Sequence, residues 1–72
     1  MGFRAVFKWK RITEADVEWL TKACNLSPTE RQILELRRKE TPPEIIAYEI
    51  SYSVTQMYYY SNKLLEKILK EL

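Results

Sequence analysis

The chain has 72 residues, of which 46% are hydrophobic and 31% are charged, and it contains a single glycine. This length allows one small domain with a core near the minimum for independent folding, and the composition excludes a disordered chain or a turn-rich β-sandwich. Twelve basic residues against ten acidic ones give a net charge of +2, which is too small to identify a partner.

The residue inventory also narrows the class of protein. No apolar run approaches the roughly 20 residues that cross a bilayer, and the start has no signal-peptide pattern, so we expect a cytoplasmic protein with no membrane contact. Cys24 is the only cysteine and histidine is absent, so we expect a structural thiol, no disulfide and no metal or other cofactor. No nucleophile lies near a general base, and we therefore expect no enzymatic activity.

Residues 3–10, with the sequence FRAVFKWK, alternate apolar and basic side chains in a pattern typical of a short strand. A single strand must find a partner. It can pair with a second copy of the chain, dock its aromatic side on the helices as an extended arm, or be a first helix with a weak pattern. We expect the docked arm, which is basic because residues 1–11 carry no acid.

Two helices are predicted next, each with a clear N-terminal signal. Thr13 is placed as the N-cap of a helix over 14–24, with Asp16 at the third position and Ile12 and Val17 as a hydrophobic staple. Ser27 is placed as the N-cap of a helix over 28–39, where Pro28 suits the first position and Glu30 completes a capping box. Asn25 between them suits a left-handed residue at the end of a helix.

The second half of the chain predicts two further helices, over 42–50 and 54–71. Thr41 is placed as the first cap, with Glu44 returning to it, and Ser53 is placed as the second cap. The periodicity predicts a core of 12 apolar residues. These are Val17, Leu20, Leu26, Ile33, Leu34, Leu36, Ile46, Ala47, Ile50, Met57, Leu64 and Ile68.

Residues 26–68 resemble a known helix-turn-helix. The stretch LSPTERQIL at 26–34, Ile46 and Ala47, and Ser53 with Met57 follow without a gap the pattern of LuxR-type regulators and of region four of bacterial sigma factors. The segment YSVTQMYYYSNKLLEKI, residues 52–68, is most similar to the sigma-like domain of small phage late-gene activators of the ArpU and RinA kind.

Periodicity and capping signals predict an all-α, four-helix domain with an extended basic N-terminal arm at 1–11 and an accessory helix at 12–25. The resemblance implies a C-terminal trihelical helix-turn-helix at 26–72. It also implies a transcriptional regulator that binds double-stranded DNA with its last helix in the major groove. The candidate base-reading residues are Ser53, Thr55, Gln56, Tyr58, Tyr59 and Asn62. The candidate DNA-backbone contacts are Arg4, Lys8, Lys10, Arg11, Arg31, Arg37, Arg38, Lys39 and Lys63.

Three positions depart from the family pattern. No glycine lies in the turn near Ser51, which predicts a strain of about 1 kcal/mol there if the turn keeps a left-handed residue. Glu40 stands where a glycine commonly ends the preceding helix. No lysine or arginine occurs between Thr41 and Asn62, where DNA readers of this family often carry one.

A 100° helical wheel centred on Met57 places Tyr60 at the core or its edge and turns Tyr58 and Tyr59 outward. Two outward tyrosines without a basic neighbour in the sequence also favour a second interpretation, a protein-interaction module. Leu65 and Leu69 would extend that surface along the helix. Its partner would be RNA polymerase, another protein or a second copy in a homodimer. Alternatively, these two leucines cover the arm or the first helix.

Overall fold

The computed structural model describes residues 8–71. This part of the chain contains a 3₁₀ turn, Trp9–Arg11, and four α-helices and has no strand. The helices are α1 (Glu14–Ala23), α2 (Pro28–Arg38), α3 (Pro43–Ile50) and α4 (Val54–Glu71). The prediction of an all-α domain with four helices is confirmed, whereas most of the predicted N-terminal arm, including Arg4, lies outside the described residues.

The last two residues of the predicted strand, Trp9 and Lys10, are not extended. Lys8 has an extended backbone, but Trp9–Arg11 form the 3₁₀ turn, which the Ile12 amide closes by donating to the Trp9 carbonyl at 3.1 Å. Trp9 is half-buried against the core, and Ile12, which the periodicity left out, is a core residue with 8% of its surface exposed. Burial of these two side chains therefore decides the conformation of residues 9–11, and the alternating pattern is wrong there.

Three of the four helices begin with a capping box. In each box the hydroxyl of the N-cap residue accepts from the amide of the third helical residue, at 3.1 to 3.2 Å. The side chain of the third helical residue in turn accepts from the N-cap amide. The pairs are Thr13 with Asp16, Ser27 with Glu30, and Ser53 with Gln56. These contacts confirm the predicted starts of α1, α2 and α4 and satisfy amides that would otherwise lack partners.

The fourth start differs from the prediction. Thr41 is not the cap of α3: the helix begins at Pro43, Pro42 occupies the N-cap position, and no side chain caps it. A residue that precedes proline is disfavoured in helical geometry, so Pro42 stays extended, with φ −58° and ψ 144°, and the helix cannot start before Pro43. Thr41 is consequently one residue too early to act as the cap.

The first three helices end in the same way, with a residue of positive φ. In each ending the amide of this residue donates to a carbonyl three residues back, and the next amide donates to a carbonyl five residues back, as in a Schellman motif. The three residues are Asn25 (φ 52°), Glu40 (φ 60°) and Ser51 (φ 62°). The left-handed geometry expected at Ser51 and Asn25 is therefore present, on side chains that carry a Cβ.

Helix α2 is the centre of the packing, because it contacts the 3₁₀ turn and each of the other three helices. Its Ile33 and Leu34 are completely buried. Ten of the 12 predicted core residues are buried, and the other two, Leu26 and Leu36, are half-buried and pack against the core. The core thus matches the predicted periodicity, with Ile12 as an addition.

We expect Leu34→Ala to lower the free energy of unfolding by about 2–5 kcal/mol, because it removes a completely buried side chain from the centre of a small core. Ile45→Ala is the matched control, since Ile45 is 50% exposed and should lose about 1 kcal/mol or less. Urea unfolding followed by circular dichroism measures both. Equal losses in the two variants would contradict the assigned core.

We expect Ser51→Gly to raise the free energy of unfolding by up to about 1 kcal/mol, because glycine adopts φ 62° without the steric conflict that a Cβ creates. Ser51→Ala keeps the Cβ and serves as the control, with no gain expected. Thermal unfolding of the two variants separates them. A gain with alanine equal to that with glycine would mean that the hydroxyl, and not the backbone, is responsible.

Candidate nucleic-acid interface

The N-terminal half of α4 presents the six candidate base-reading residues on the surface. All six are exposed: Ser53, Thr55, Gln56, Tyr58, Tyr59 and Asn62. Ser53 and Gln56 are also engaged with each other in the capping box, because Gln56 Oε1 accepts from the Ser53 amide at 3.1 Å. The side chains without such a local role are therefore Thr55, Asn62 and the two tyrosines.

The three consecutive tyrosines differ less in burial than the helical wheel predicts. Tyr58 is 42% exposed and Tyr59 is 55% exposed, while Tyr60 is 37% exposed. Tyr60 lies at the edge of the core, where its ring centroid is 5.2 Å from that of Tyr52, a residue packed against the core. Its ring also meets that of Tyr59 edge to face at 5.2 Å, so Tyr52, Tyr60 and Tyr59 form a connected aromatic surface.

Arg37 supplies the first cation of this surface from the end of α2. Its Nε donates a 3.0 Å hydrogen bond to Oγ of Ser61, a residue of α4 with only 1% of its surface exposed. The guanidinium carbon lies 5.6 Å from the centroid of the Tyr58 ring and 5.5 Å from that of Trp9, both within cation–π range. Burial lowers the pKa of Arg37, which nevertheless remains charged near neutral pH.

Lys63 of α4 supplies the second cation and lies one helical turn after Tyr59. Its Nζ lies 5.1 Å from the centroid of the Tyr59 ring, and the pKa of Lys63 is raised, chiefly by hydrogen bonding with the Tyr59 phenol. The sequence shows no basic residue from Thr41 to Asn62, but the fold places one cation against each outward tyrosine. The exposed aromatic surface therefore has a positive charge beside each of its two outward tyrosines.

The other candidate DNA-backbone residues fall into two groups. Lys8, Lys10, Arg11 and Lys39 are exposed on the surface. Arg31 and Arg38 already contact carboxylates: Arg31 pairs with Glu18, and Arg38 lies 3.2 Å from Glu14 and 2.8 Å from Glu35. Both arginines thus bind acidic side chains of the same chain, which the sequence does not reveal because Glu14 and Glu18 lie on another helix.

The C-terminal half of α4 does not carry the exposed leucine stripe of the second interpretation. Leu65 and Leu69 are half-buried, and α4 packs against α1 in this structure. Further exposed apolar residues occur instead on α3 and at the start of α4, where Tyr48 is 82% exposed, Ile45 50% and Val54 37%. Ile45 and Tyr48 were missed, although they lie on the side of the α3 helical wheel opposite the buried Ile46, Ala47 and Ile50. Val54 falls within about 60° of Met57 on the wheel of α4, so the pattern does not indicate its exposure.

Cys24 lies away from the tyrosine surface at the end of α1. It is half-buried, and its thiol donates to the Lys67 carbonyl at 3.6 Å, which joins α1 to α4. Burial is the main cause that raises the pKa of the Cys24 thiol, so the protonated, unreactive form is favoured. These contacts support the structural role expected for it.

Comparisons of this chain with protein-family models, with curated proteins and with solved structures find no match. Within residues 8–71, no helix has both the length and the apolar character that a membrane crossing needs. Chemically, the α4 surface combines uncharged hydrogen-bonding groups, phenol rings and two cations, which are groups that contact bases and phosphates.

We expect Arg37→Ala to lower the free energy of unfolding by about 1–3 kcal/mol, because the variant loses the hydrogen bond to a buried hydroxyl and two aromatic contacts. Arg31→Ala also removes one arginine from α2, but it breaks only an exposed ion pair and should cost about 1 kcal/mol or less. Urea unfolding compares them. Equal losses would show that Arg37 does not hold α4 to α2.

Proposed function

We propose that this protein is a DNA-binding transcriptional regulator in which α3, the connection at residues 51–53 and α4 act as a helix-turn-helix. In this arrangement the N-terminal half of α4 enters the major groove of double-stranded DNA. The observation that carries the proposal is the pairing of each outward tyrosine on α4 with a cation, Arg37 at Tyr58 and Lys63 at Tyr59.

The uncharged residues of α4 suit contacts with base edges. Asn62 is exposed, and an asparagine amide can bond an adenine through two hydrogen bonds. Thr55 is exposed in the first turn, where its methyl can touch a thymine methyl. The phenol hydroxyls of Tyr58 and Tyr59 can donate to phosphates, so the same face offers both base and backbone contacts.

The cations around α4 suit contacts with phosphates. Arg37 and Lys63 lie at the edges of the tyrosine surface, and Lys39 is exposed just beyond α2. Neutralised phosphates release bound counterions, so affinity gained in this way depends on salt. An uncharged reading face with cations at its edges therefore predicts binding that is strongly salt-dependent and moderately selective for sequence.

The first experiment measures binding of the whole chain to random-sequence duplex DNA at two salt concentrations. We expect binding that weakens as salt rises, followed by selection of a preferred site from the random pool.

Tyr59→Ala and Asn62→Ala should change the preferred bases, whereas Lys39→Ala should weaken binding to every sequence alike and reduce the salt slope by about 1. Lys22→Ala, which removes an exposed lysine at the end of α1, is the control. Absence of binding at low salt would refute the proposal.

A second candidate function is a protein-interaction module, and the exposed face of α3 favours it. Tyr48 and Ile45 are the most exposed large apolar residues of α3, and Glu44 and Glu49 are exposed on the same helix. An apolar surface with an acidic border is typical of a protein contact and unsuited to phosphates. RNA polymerase, another protein or a second copy in a homodimer would be the partner.

Light scattering of the purified chain tests self-association, and retention on immobilised RNA polymerase tests the other partner. We expect Ile45→Ala combined with Tyr48→Ala to lose whichever association the wild type shows while retaining its helical circular dichroism. Tyr58→Ala combined with Leu69→Ala tests the surface that the sequence suggests. Association that survives both double variants would exclude each of these surfaces as the contact.

A further inference from the structure

A cavity of about 390 Å³ lies where the 3₁₀ turn faces the beginning of α3. Lys8 and Lys10 line it from the N-terminal side, Arg37 from the end of α2, and the Trp9 indole forms part of the wall. Glu40 is the only carboxylate among the described residues that line it. Three cations thus share this cavity with one acid.

The basic residues that line this cavity differ from those that join the helices through ion pairs. Elsewhere in residues 8–71, Arg31, Arg38 and Lys67 each contact a carboxylate within 4 Å. Arg37 instead donates to the neutral Ser61 hydroxyl through Nε, and its guanidinium carries further donors on two terminal nitrogens. Cations held close together without matching acids raise the electrostatic energy, and an anion in the cavity would lower it.

The lining chemistry indicates which anion fits. Lysine and arginine supply only donors, and Thr41 adds a hydroxyl to the same cavity. Pro42 and Pro43 also line the cavity and have no amide hydrogen, so these two positions offer no backbone donor. A phosphate group, with several acceptor oxygens and a full negative charge, matches a fork of arginine donors flanked by two lysines.

We propose that this cavity binds a phosphate group, supplied by the backbone of the duplex that α4 contacts. This assignment of the source rests on the DNA-binding function proposed above. Arg37 connects the two places, because its guanidinium lines the cavity and also lies 5.6 Å from the Tyr58 ring on α4. A backbone phosphate in the cavity would therefore fix the orientation of α4 relative to the DNA.

Trp9 provides a direct signal for the test. The chain has two tryptophans, and Trp19 is 51% exposed on α1, so Trp19→Phe leaves Trp9 as the only tryptophan without disturbing the core. The full chain with this change is titrated with a short random-sequence duplex and, at matched ionic strength, with inorganic phosphate. We expect duplex to produce a saturable change in Trp9 emission.

The decisive variant is Lys8→Ala combined with Lys10→Ala, because both lysines are exposed and their removal leaves the core intact. It should weaken duplex binding by about tenfold or more and reduce the salt slope by about 1, because one phosphate contact is lost. Lys22→Ala combined with Lys70→Ala removes the same charge from exposed positions outside the cavity and should weaken binding by about threefold or less.

The possible outcomes distinguish a failure of the cavity assignment from a failure of the proposed DNA-binding function. If duplex binds but both double variants weaken it equally, the cavity assignment fails and the DNA-binding function stands. If duplex does not bind while inorganic phosphate changes Trp9 emission in a way that requires Lys8 and Lys10, the phosphate site stands with free phosphate as its source. Trp9 emission that responds to neither ligand overturns the site.

Discussion

The burial of one face of α2 is the constraint on which the rest of this structure depends. This helix contacts the 3₁₀ turn and all three other helices, and its Ile33 and Leu34 have no exposed surface. A chain of this length has little core to spare, so the loss of one such contact is a large fraction of its stability. The end of α2 also positions Arg37, which contacts Ser61 and the Tyr58 ring and so links this helix to the tyrosine surface of α4.

The ion pairs show how the chain divides its basic residues. Arg31 and Arg38 join α2 to α1, and Lys67 of α4 lies 2.7 Å from Glu30 of α2. Burial opposes ionisation of Glu30, but hydrogen bonds from Lys67 and from the Ser27 amide outweigh it, so the pKa of this carboxyl is lowered. These cations connect helices through carboxylates, whereas Arg37 connects α2 to α4 through the neutral Ser61 hydroxyl. Lys63 and the lysines beside Trp9 are exposed on the surface.

Local signals account for the parts of the fold that the sequence predicts. Capping boxes span three residues and helical periodicity spans four, so the starts at Thr13, Ser27 and Ser53 and most of the core can be recognised without a structure. The prediction failed at Thr41, where the restriction that Pro43 places on Pro42 outweighs the preference for a threonine cap. It also failed at Trp9, whose burial depends on α2 and not on the neighbouring residues.

The candidate site is harder to predict because one of its two cations comes from another helix: Lys63 is four residues from Tyr59 on α4, but Arg37 lies on α2. Arg37 and Ser61 are 24 positions apart, and no local pattern indicates that an arginine at the end of α2 reaches α4. The absence of basic residues from Thr41 to Asn62 therefore describes the sequence of this segment but not its surroundings. In the proposed complex with DNA, the uncharged groups of the α4 face would contact base edges, and the cations at its edges would neutralise phosphates. Specific and non-specific contributions to DNA affinity would then come from different side chains, so each could change by substitution with little effect on the other.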